Sequence, residues 1–177
     1  ADGAEYLGDP DFVPQRIGEL LADEYIGRRA LDVNIGSISP ATGVMPGLEG
    51  HDTTHFSIVD RDGNAVAVSY TLNTDFGSGV VVGGGGFLLN NEMDDFSAKP
   101  GVANYYGVTG AEANAIAPGK RMLSSMSPTI LVKDGEVSLV VGSPGGATII
   151  TSVYQAIVNV LDFGMTAEQA VAATRFH

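Results

Sequence analysis

The organisation of this chain depends on one segment, His51-Asp52-Thr53-Thr54-His55-Phe56-Ser57. A Thr hydroxyl is a poor nucleophile unless a base lies beside it, and a residue gains such a base, its own α-amine, when the preceding peptide bond is cut. The segment therefore suggests backbone scission between Asp52 and Thr53. Two threonines that open a strand are more often ordinary strand formers, so this hypothesis depends on what the remaining sequence places around Thr53.

Length and composition favour a globular chain of one domain. The sequence has 177 residues, and 44% of them are hydrophobic, which argues against disorder. A formal net charge of −12 repels phosphate backbones and anionic lipids, so we expect no nucleic-acid partner. The absence of Cys excludes a thiol nucleophile and Zn-thiolate sites. We expect no membrane span, because every apolar run is too short, and the N-terminus lacks the features of a signal peptide.

Two strands are predicted after the proposed scission point, at residues 53–60 and 64–73. A three-residue loop joins them, Arg61-Asp62-Gly63, with Gly in the left-handed position. The two strands therefore form a hairpin.

The loop fixes a register for this hairpin. Pairing Asp60 with Asn64 and stepping back along each strand sets Thr53 opposite Thr71. Asn73 lies two residues after Thr71 and so shares its face of the sheet. A hydroxyl and an amide are therefore expected beside Thr53, whereas a two-residue turn would shift the register by one and remove the pairing.

A second hairpin is predicted from residues 129–133 and 137–142, turned at Asp134-Gly135. Four consecutive glycines, Gly83 to Gly86, predict a turn into a short strand at residues 87–89. They are not a phosphate-binding loop, because no Lys-Ser or Lys-Thr follows them.

Three helices are predicted from apolar spacing and capping patterns. Residues 17–25 carry apolar side chains at helical spacing and indicate one short amphipathic helix. The apolar positions of residues 149–161 indicate a second. A capping-box pattern at residues 166–169 opens a last helix that is expected to continue to the end of the chain at His177.

Candidate binding residues fall in four places. The amides and carboxylates of residues 90–96 suit an ammonium group or, less well for lack of His or regular oxygen spacing, a metal ion. Ser124-Ser125 can bind a carboxylate through the two hydroxyls. Gly145-Gly146 precede a helix, so their N–H groups can meet an anion or form an oxyanion hole. Residues 99–119, around Tyr105 and Tyr106, fit either a mobile flap over a pocket or an ordinary surface loop.

No catalytic role is assigned to the histidines. His51, His55 and His177 do not lie at a metal-ligand spacing, and we interpret His55 as a strand residue near the site. No Gly-x-Ser-x-Gly motif is present for a Ser-His-Asp enzyme. The sequence therefore predicts neither a metal nor another cofactor.

Taken together, these motifs resemble the γ-glutamyltranspeptidase family of N-terminal nucleophile hydrolases. The resemblance covers nearly the whole chain and is carried by seven segments: Tyr6-Leu7-Gly8-Asp9-Pro10, Thr53-Thr54-His55-Phe56-Ser57, Tyr70-Thr71-Leu72-Asn73-Thr74, residues 89–97, Leu123-Ser124-Ser125-Met126-Ser127-Pro128, Gly142-Ser143-Pro144-Gly145-Gly146 and Arg175-Phe176-His177.

The resemblance implies an α+β fold, the four-layer αββα sandwich of these hydrolases, which is incomplete in this chain. It implies autoproteolysis between Asp52 and Thr53. Residues 1–52 would be the C-terminal end of a large subunit with its linker, and residues 53–177 a small-subunit catalytic portion truncated at its C-terminus. A periplasmic or secreted location is also implied.

The resemblance further implies residue roles. Thr53 would attack the γ-carbonyl of glutathione or another γ-glutamyl compound, and water or an amino-acid or peptide acceptor would then take the acyl group. Thr71 would hydrogen-bond Thr53. Gly145 and Gly146 would bind the oxyanion. The substrate ammonium would be bound by Asn73, Glu92 and Asp95, and the substrate carboxylate by Ser124 and Ser125. Tyr106 would contact Asn73 as part of the lid.

Two alternatives stay open beside this expectation. The chain resembles, less closely, cephalosporin or glutaryl acylases of the same superfamily, which tend to lack the lid. It could also be a catalytically inactive structural fragment, since the large-subunit portion, with an Arg for the substrate carboxylate, is absent from these 177 residues.

Overall fold

The computed structural model describes residues 2–31, Val33, Gly36 and 53–177. Its helices are α1 (Asp2–Tyr6), α2 (Ile17–Leu20), α3 (Asp23–Leu31), α4 (Ile149–Leu161) and α5 (Ala167–Ala172). Its strands are β1 (Thr53–Val59), β2 (Ala65–Thr71), β3 (Thr129–Lys133) and β4 (Glu136–Val141). Short 3-10 turns lie at Glu92–Asp95, Glu112–Asn114 and Gly146–Thr148.

The chain divides into two compact units. Unit 1 consists of Ala1–Gly47 and Met93–Leu123, and unit 2 of Leu48–Glu92 and Ser124–His177. Each unit therefore combines two separate stretches of the sequence.

In unit 2, β1 and β2 pair antiparallel in the predicted register. Thr53 lies opposite Thr71. The Asp60 N–H donates to the Asn64 carbonyl over 3.0 Å, and Gly63 has the left-handed φ of 84° that the three-residue turn requires. The side chain and N–H of Asn64 bind the Asp60 carboxylate, which lowers the pKa of Asp60 and stabilises the turn.

The second hairpin and the helix after it also form as predicted, with small shifts at their ends. β3 pairs with β4 through a turn in which Asp134 and Gly135 have φ of 54° and 87°, and β4 begins at Glu136, one residue before the predicted strand. Helix α4 buries Ile149 and Val153 and packs against α5. These apolar contacts form the core of unit 2.

The glycine-rich segment of unit 2 forms the predicted turn, but the short strand expected at residues 87–89 is reduced to one isolated bridge. Val81 bridges Leu88, and Val82 and Phe87 are joined by a 2.9 Å backbone hydrogen bond. The four glycines close this short antiparallel ribbon.

Two helix predictions need correction. The single helix expected over residues 17–25 is two helices, α2 and α3, which are separated at Leu21 and Ala22. The last helix does not continue to His177 but ends at Ala172. Its predicted start is confirmed, because Thr166 and Gln169 make both hydrogen bonds of a capping box.

In unit 1, one buried amide organises the loop that spans residues 93–123. Asn114 is 4% exposed, and its Nδ2 donates to the Asp95 carbonyl over 2.7 Å. Its Oδ1 accepts from the Leu123 N–H at 3.1 Å, and its carbonyl accepts from the Ser97 N–H at 2.9 Å. A single side chain thus holds the two ends of the loop together.

Among the described residues, no helix is both long and apolar enough to cross a bilayer.

We predict that Asn114→Ala loosens the ends of this loop. Buried N–H and carbonyl groups would lose their partners, at a cost of about 1–3 kcal/mol. Hydrogen exchange at the Leu123 N–H should therefore accelerate by about tenfold or more. The matched control is Asn159→Ala on helix α4, which should leave exchange at Leu123 unchanged. Unchanged exchange at Leu123 in Asn114→Ala would contradict the role of Asn114 in holding the loop ends.

Candidate active site

The end of the first hairpin brings two hydroxyls and an amide together. Thr53 and Thr71 are directly opposite partners, and the Thr71 Oγ1 accepts a hydrogen bond from the Asn73 N–H at 2.9 Å. The Thr71 side chain is thereby oriented where β2 ends, on the strand that faces Thr53.

The strand predicted to continue to Asn73 ends at Thr71, so strand alternation does not place Asn73 on the face of Thr71. Asn73 instead joins this end of β2 to the segment that carries Glu92. It is 4% exposed, and its φ of 76° is a left-handed conformation that Asn tolerates better than most residues. Its Nδ2 donates to the Asn91 carbonyl at 3.3 Å, and the Asn91 N–H donates to the Leu72 carbonyl at 3.2 Å. Asn73 is therefore fixed beside the residue that precedes Glu92.

The glycines at the C-terminal side of β4 adopt conformations that other residues avoid. Gly145 has φ of 129° and Gly146 φ of 53°. The Gly145 carbonyl accepts from both the N–H and the Oγ1 of Thr148, at 3.0 and 2.7 Å. Within the described residues, no acceptor takes a hydrogen bond from the N–H groups of Gly145 and Gly146. Two backbone donors at the start of a helical segment suit a developing negative charge.

His55 connects strand β1 to this glycine segment. Its Nδ1 lies 2.9 Å from the Ser69 Oγ on β2, and its Nε2 lies 3.1 Å from the Ser57 Oγ. Its ring packs against Gly142 so closely that a Cβ there would overlap it. The first hairpin and the start of the glycine segment are thus in direct contact within unit 2.

Ser124 and Ser125 lie in an extended segment that leads to β3. The Ser124 Oγ accepts from the Met126 N–H at 3.1 Å, and the Ser125 carbonyl accepts from the Ser127 hydroxyl at 3.0 Å. The first of these bonds leaves the Ser124 hydroxyl proton available for a carboxylate.

The remaining predicted residues fall elsewhere. Glu92 and Asp95 are the first and last residues of one 3-10 turn. Asp95 and Tyr106 belong to unit 1, where Tyr106 is 8% exposed and its ring meets the Tyr105 ring edge-on at 5.1 Å. Asp52 lies outside the described residues. Unit 2 thus contains Thr53, Thr71, Asn73, Glu92, Ser124, Ser125, Gly145 and Gly146.

Sequence reasoning overlooked three positioning residues. It gave His55 no role beyond the strand, and it did not identify the side-chain contacts of Asn91 or Asn114. Side chains alternate along a strand, so His55 and Ser57 share a face with Thr53. This alternation is the signal that could have predicted the contact between His55 and Ser57. No local pattern indicates the contacts of Asn114.

Within the described part of the chain, no group of three or more His, Asp or Glu side chains is close enough to hold a metal ion.

Comparisons with known proteins point to one family. The family model described as gamma-glutamyltranspeptidase matches residues 1–177. The chain is 64% identical over 177 residues to the glutathione hydrolase proenzyme of Pseudomonas aeruginosa, covering 100% of this chain and 32% of that protein. It is 55% identical over 181 residues to the Escherichia coli glutathione hydrolase proenzyme, covering 100% and 31%. The chain thus spans about a third of these curated relatives.

Solved structures similar to this chain include a gamma-glutamyltranspeptidase and an acylase. The gamma-glutamyltranspeptidase from Pseudomonas nitroreducens complexed with L-DON is 69% identical with a TM-score of 0.68, covering 70% of this chain and 64% of that chain. The cephalosporin acylase from Bacillus halodurans is 28% identical with a TM-score of 0.75, covering 98% and 29%.

The class that these observations define is the N-terminal nucleophile hydrolases, with mixed helices and strands. Within that class, the chain belongs to the γ-glutamyltranspeptidase family.

We predict that Gly142→Ala disturbs the contact between the two hairpins of unit 2. The added Cβ would overlap the His55 ring, and overpacking of this kind costs about 1–3 kcal/mol. The free energy of unfolding, measured in urea, should fall by that amount. Gly83→Ala is the matched control, because a Cβ at Gly83 meets open space. Equal stability of the two variants would contradict the packing.

Proposed function

We propose that the protein containing this chain hydrolyses and transfers γ-glutamyl groups, cleaving glutathione and other γ-glutamyl amides through an acyl-enzyme on Thr53. The observation that carries the proposal is the position of Thr53 opposite Thr71, in a chain 64% identical to a glutathione hydrolase proenzyme. The second threonine supplies the polar partner that a bare strand threonine would lack.

Thr53 becomes the nucleophile after scission between Asp52 and Thr53. The curated relatives are named proenzymes, which supports a processed chain. Coverage supports the same point. Residues 53–177 make up about 71% of the chain, and the solved transpeptidase chain of P. nitroreducens covers 70% of it, whereas the proenzymes cover 100%. We therefore assign residues 1–52 and 53–177 to separate products, a large-subunit end and a small-subunit portion.

The proposed reaction uses one hydroxyl twice. In scission, the Thr53 hydroxyl attacks the Asp52 carbonyl, and the peptide bond to the Thr53 nitrogen breaks, which forms an ester and frees the Thr53 α-amine. Hydrolysis of that ester releases the Asp52 carboxylate and restores the Thr53 hydroxyl. In turnover, that amine takes the hydroxyl proton while the oxygen attacks the substrate γ-carbonyl. The N–H groups of Gly145 and Gly146 donate hydrogen bonds to the negative oxygen of the tetrahedral intermediate. When the intermediate collapses, the Thr53 α-ammonium returns its proton to the leaving amine. Water or an acceptor amine then cleaves the acyl ester.

Substrate selection depends on the two charged ends of the glutamyl group. We assign the α-ammonium to Asn73, Glu92 and Asp95, because an amide oxygen and two carboxylates accept its hydrogen bonds. We assign the α-carboxylate to the hydroxyls of Ser124 and Ser125. The lid role of Tyr106 is part of the same proposal.

The fold and the setting of the whole protein are proposed on the same basis. The four-layer αββα sandwich is the arrangement we propose for the complete protein, completed by a large-subunit portion outside these 177 residues. We also propose a periplasmic or secreted location for the complete protein.

An acylase of the same superfamily is the competing function. The acylase ACY 1 proenzyme from Pseudomonas sp. SE83 is 35% identical to the chain, well below the 64% of the glutathione hydrolase proenzyme. A glutaryl group lacks the α-ammonium, so it leaves Asp95 without a charged partner. A γ-glutamyl substrate, which carries the α-ammonium, therefore matches the proposed binding residues better than a glutaryl substrate does.

The first test is self-cleavage. The intact mass of the wild-type chain after incubation should show pieces of 52 and 125 residues, with Thr53 at the new N-terminus. Thr53→Ala should abolish scission and turnover together, because one hydroxyl serves both. The matched control is Thr54→Ala, whose side chain lies on the opposite face of β1 and pairs with Tyr70. Normal scission in Thr53→Ala would refute the assignment, and an uncut wild-type chain would require the same experiment on the longer protein.

The second test concerns Asp95. Asp95→Asn should raise KM for a γ-glutamyl amide by about ten- to a hundredfold, since a charge-assisted hydrogen bond is lost, while scission stays near normal. Asp94→Asn is the control, because an Asn Oδ1 can still accept from the Tyr105 N–H. Equal loss of scission and binding in Asp95→Asn would make Asp95 structural, and a preference for glutaryl amides would favour the acylase.

A further inference from the structure

Unit 1 is assembled from both sides of the proposed scission point. Its first stretch, Ala1–Gly47, lies upstream of Asp52-Thr53, and its second, Met93–Leu123, lies downstream. After scission no peptide bond connects the two stretches. The non-covalent contacts inside unit 1 would then help to hold this part of the upstream product on the downstream one.

The strongest of these contacts is an ion pair between residues 112 positions apart. The Asp9 side chain is 1% exposed. Its Oδ2 accepts from the backbone N–H and the Nε of Arg121, at 2.8 and 3.0 Å, and its Oδ1 accepts from the Arg121 Nη2 at 2.6 Å. Three donors from one residue thus satisfy a buried carboxylate in a bidentate arrangement that also includes the backbone.

Other contacts surround this ion pair. The Ala111 N–H donates to the Ala4 carbonyl at 3.1 Å, so α1 is tied to the downstream stretch. Gly8 approaches the Ala113 carbonyl so closely that a Cβ would overlap it. The Lys120 Nζ lies 5.9 Å from the centre of the Phe12 ring. Polar, steric and cation–π contacts therefore all connect the same two stretches.

The two ion pairs of Arg121 differ in strength because their carboxylates differ in burial. Asp11 also binds the Arg121 Nη2, but its side chain is 76% exposed, and exposed ion pairs stabilise little. The Asp9 carboxylate has been withdrawn from water, so losing Arg121 would leave a buried charge without its main partner. We therefore expect Asp9, and not Asp11, to oppose dissociation of the upstream product from the downstream product.

We propose that residues 93–123 form the docking surface that retains the upstream cleavage product, and that Asp9 and Arg121 anchor it. The partner is the segment around residues 4–13, which carries a buried carboxylate and a backbone carbonyl into this surface. This inference rests on the proposed scission, but the contacts can be tested after any cut between the two stretches.

The anchor has a defined pH dependence. Hydrogen bonds from the Arg121 side chain and backbone, together with its positive charge, hold the pKa of Asp9 well below its ordinary value of 3.8. A lowered pKa means that the contact stabilises the pair fully above that ordinary value and progressively less as the pH falls below it. Besides Asp9, the charged side chains of residues 4–13 and 93–123 are Glu5, Asp11, Asp94, Asp95, Lys99, Glu112, Lys120 and Arg121.

The experiment imposes the cut independently of self-cleavage. The full chain carries an affinity tag at its N-terminus and a recognition sequence for a site-specific protease between Gly47 and Asp52. After cutting, the tagged piece is immobilised, and release of the downstream piece is timed at pH 7. Asp9→Asn and Arg121→Gln should each speed release by about ten- to a hundredfold, and the double variant should be no faster than the singles, since they remove one interaction.

Asp11→Asn is the matched control and should change release by less than about fivefold. If Asp9→Asn does not fold, Arg121→Lys, which keeps the charge but loses the bidentate geometry, should give intermediate release. Wild-type release should accelerate as the pH falls below 3.8. Release of Asp9→Asn and Arg121→Gln at the wild-type rate, or of Asp11→Asn as fast as Asp9→Asn, would overturn the anchor. Whether the wild-type chain cuts itself without the protease bears on the proposed scission and not on the anchor.

Discussion

The three-residue turn between β1 and β2 is the constraint on which the candidate site depends. Side chains alternate between faces of a strand, so a slip of one residue would move Thr53 away from Thr71 and turn it to the other face. Asp60 prevents such a slip by binding the N–H groups of Asp62 and Asn64, and Gly63 supplies the left-handed conformation. A surface turn therefore sets the chemistry at the opposite end of the hairpin.

The sequence predicted the local elements well, because their signals are local. Turn residues and period-two patterns specify both hairpins, and the capping box specifies where α5 begins. The single helix over residues 17–25 was wrong because apolar spacing continues across a break at Leu21 and Ala22 that no Pro or Gly marks. The end of α5 was wrong because Ala172 and Ala173 are good helix formers and carry no stop signal.

The contacts that join distant parts of the chain could not be predicted in this way. Asp9 and Arg121 are 112 residues apart, and nothing in either neighbourhood indicates the other. The same holds for Asn114, whose amide looks like any polar loop residue in the sequence but is buried against two backbone segments. For the candidate site, residue types could be proposed from motifs, whereas the packing of His55 on Gly142 joins residues 87 positions apart and has no local signal.

The four-glycine turn of unit 2 has a practical consequence for protein engineering. A Cβ at Gly83, Gly84 or Gly86 would meet open space, whereas one at Gly85 would overlap the Phe87 ring, so the tip is open at three of its four glycines. Exposed tips of small residues are the places where chains accept inserted sequence with the least disturbance. A fluorescent reporter or an epitope could be grafted there, so that the unit that contains Thr53 is followed in a living cell without altering either terminus.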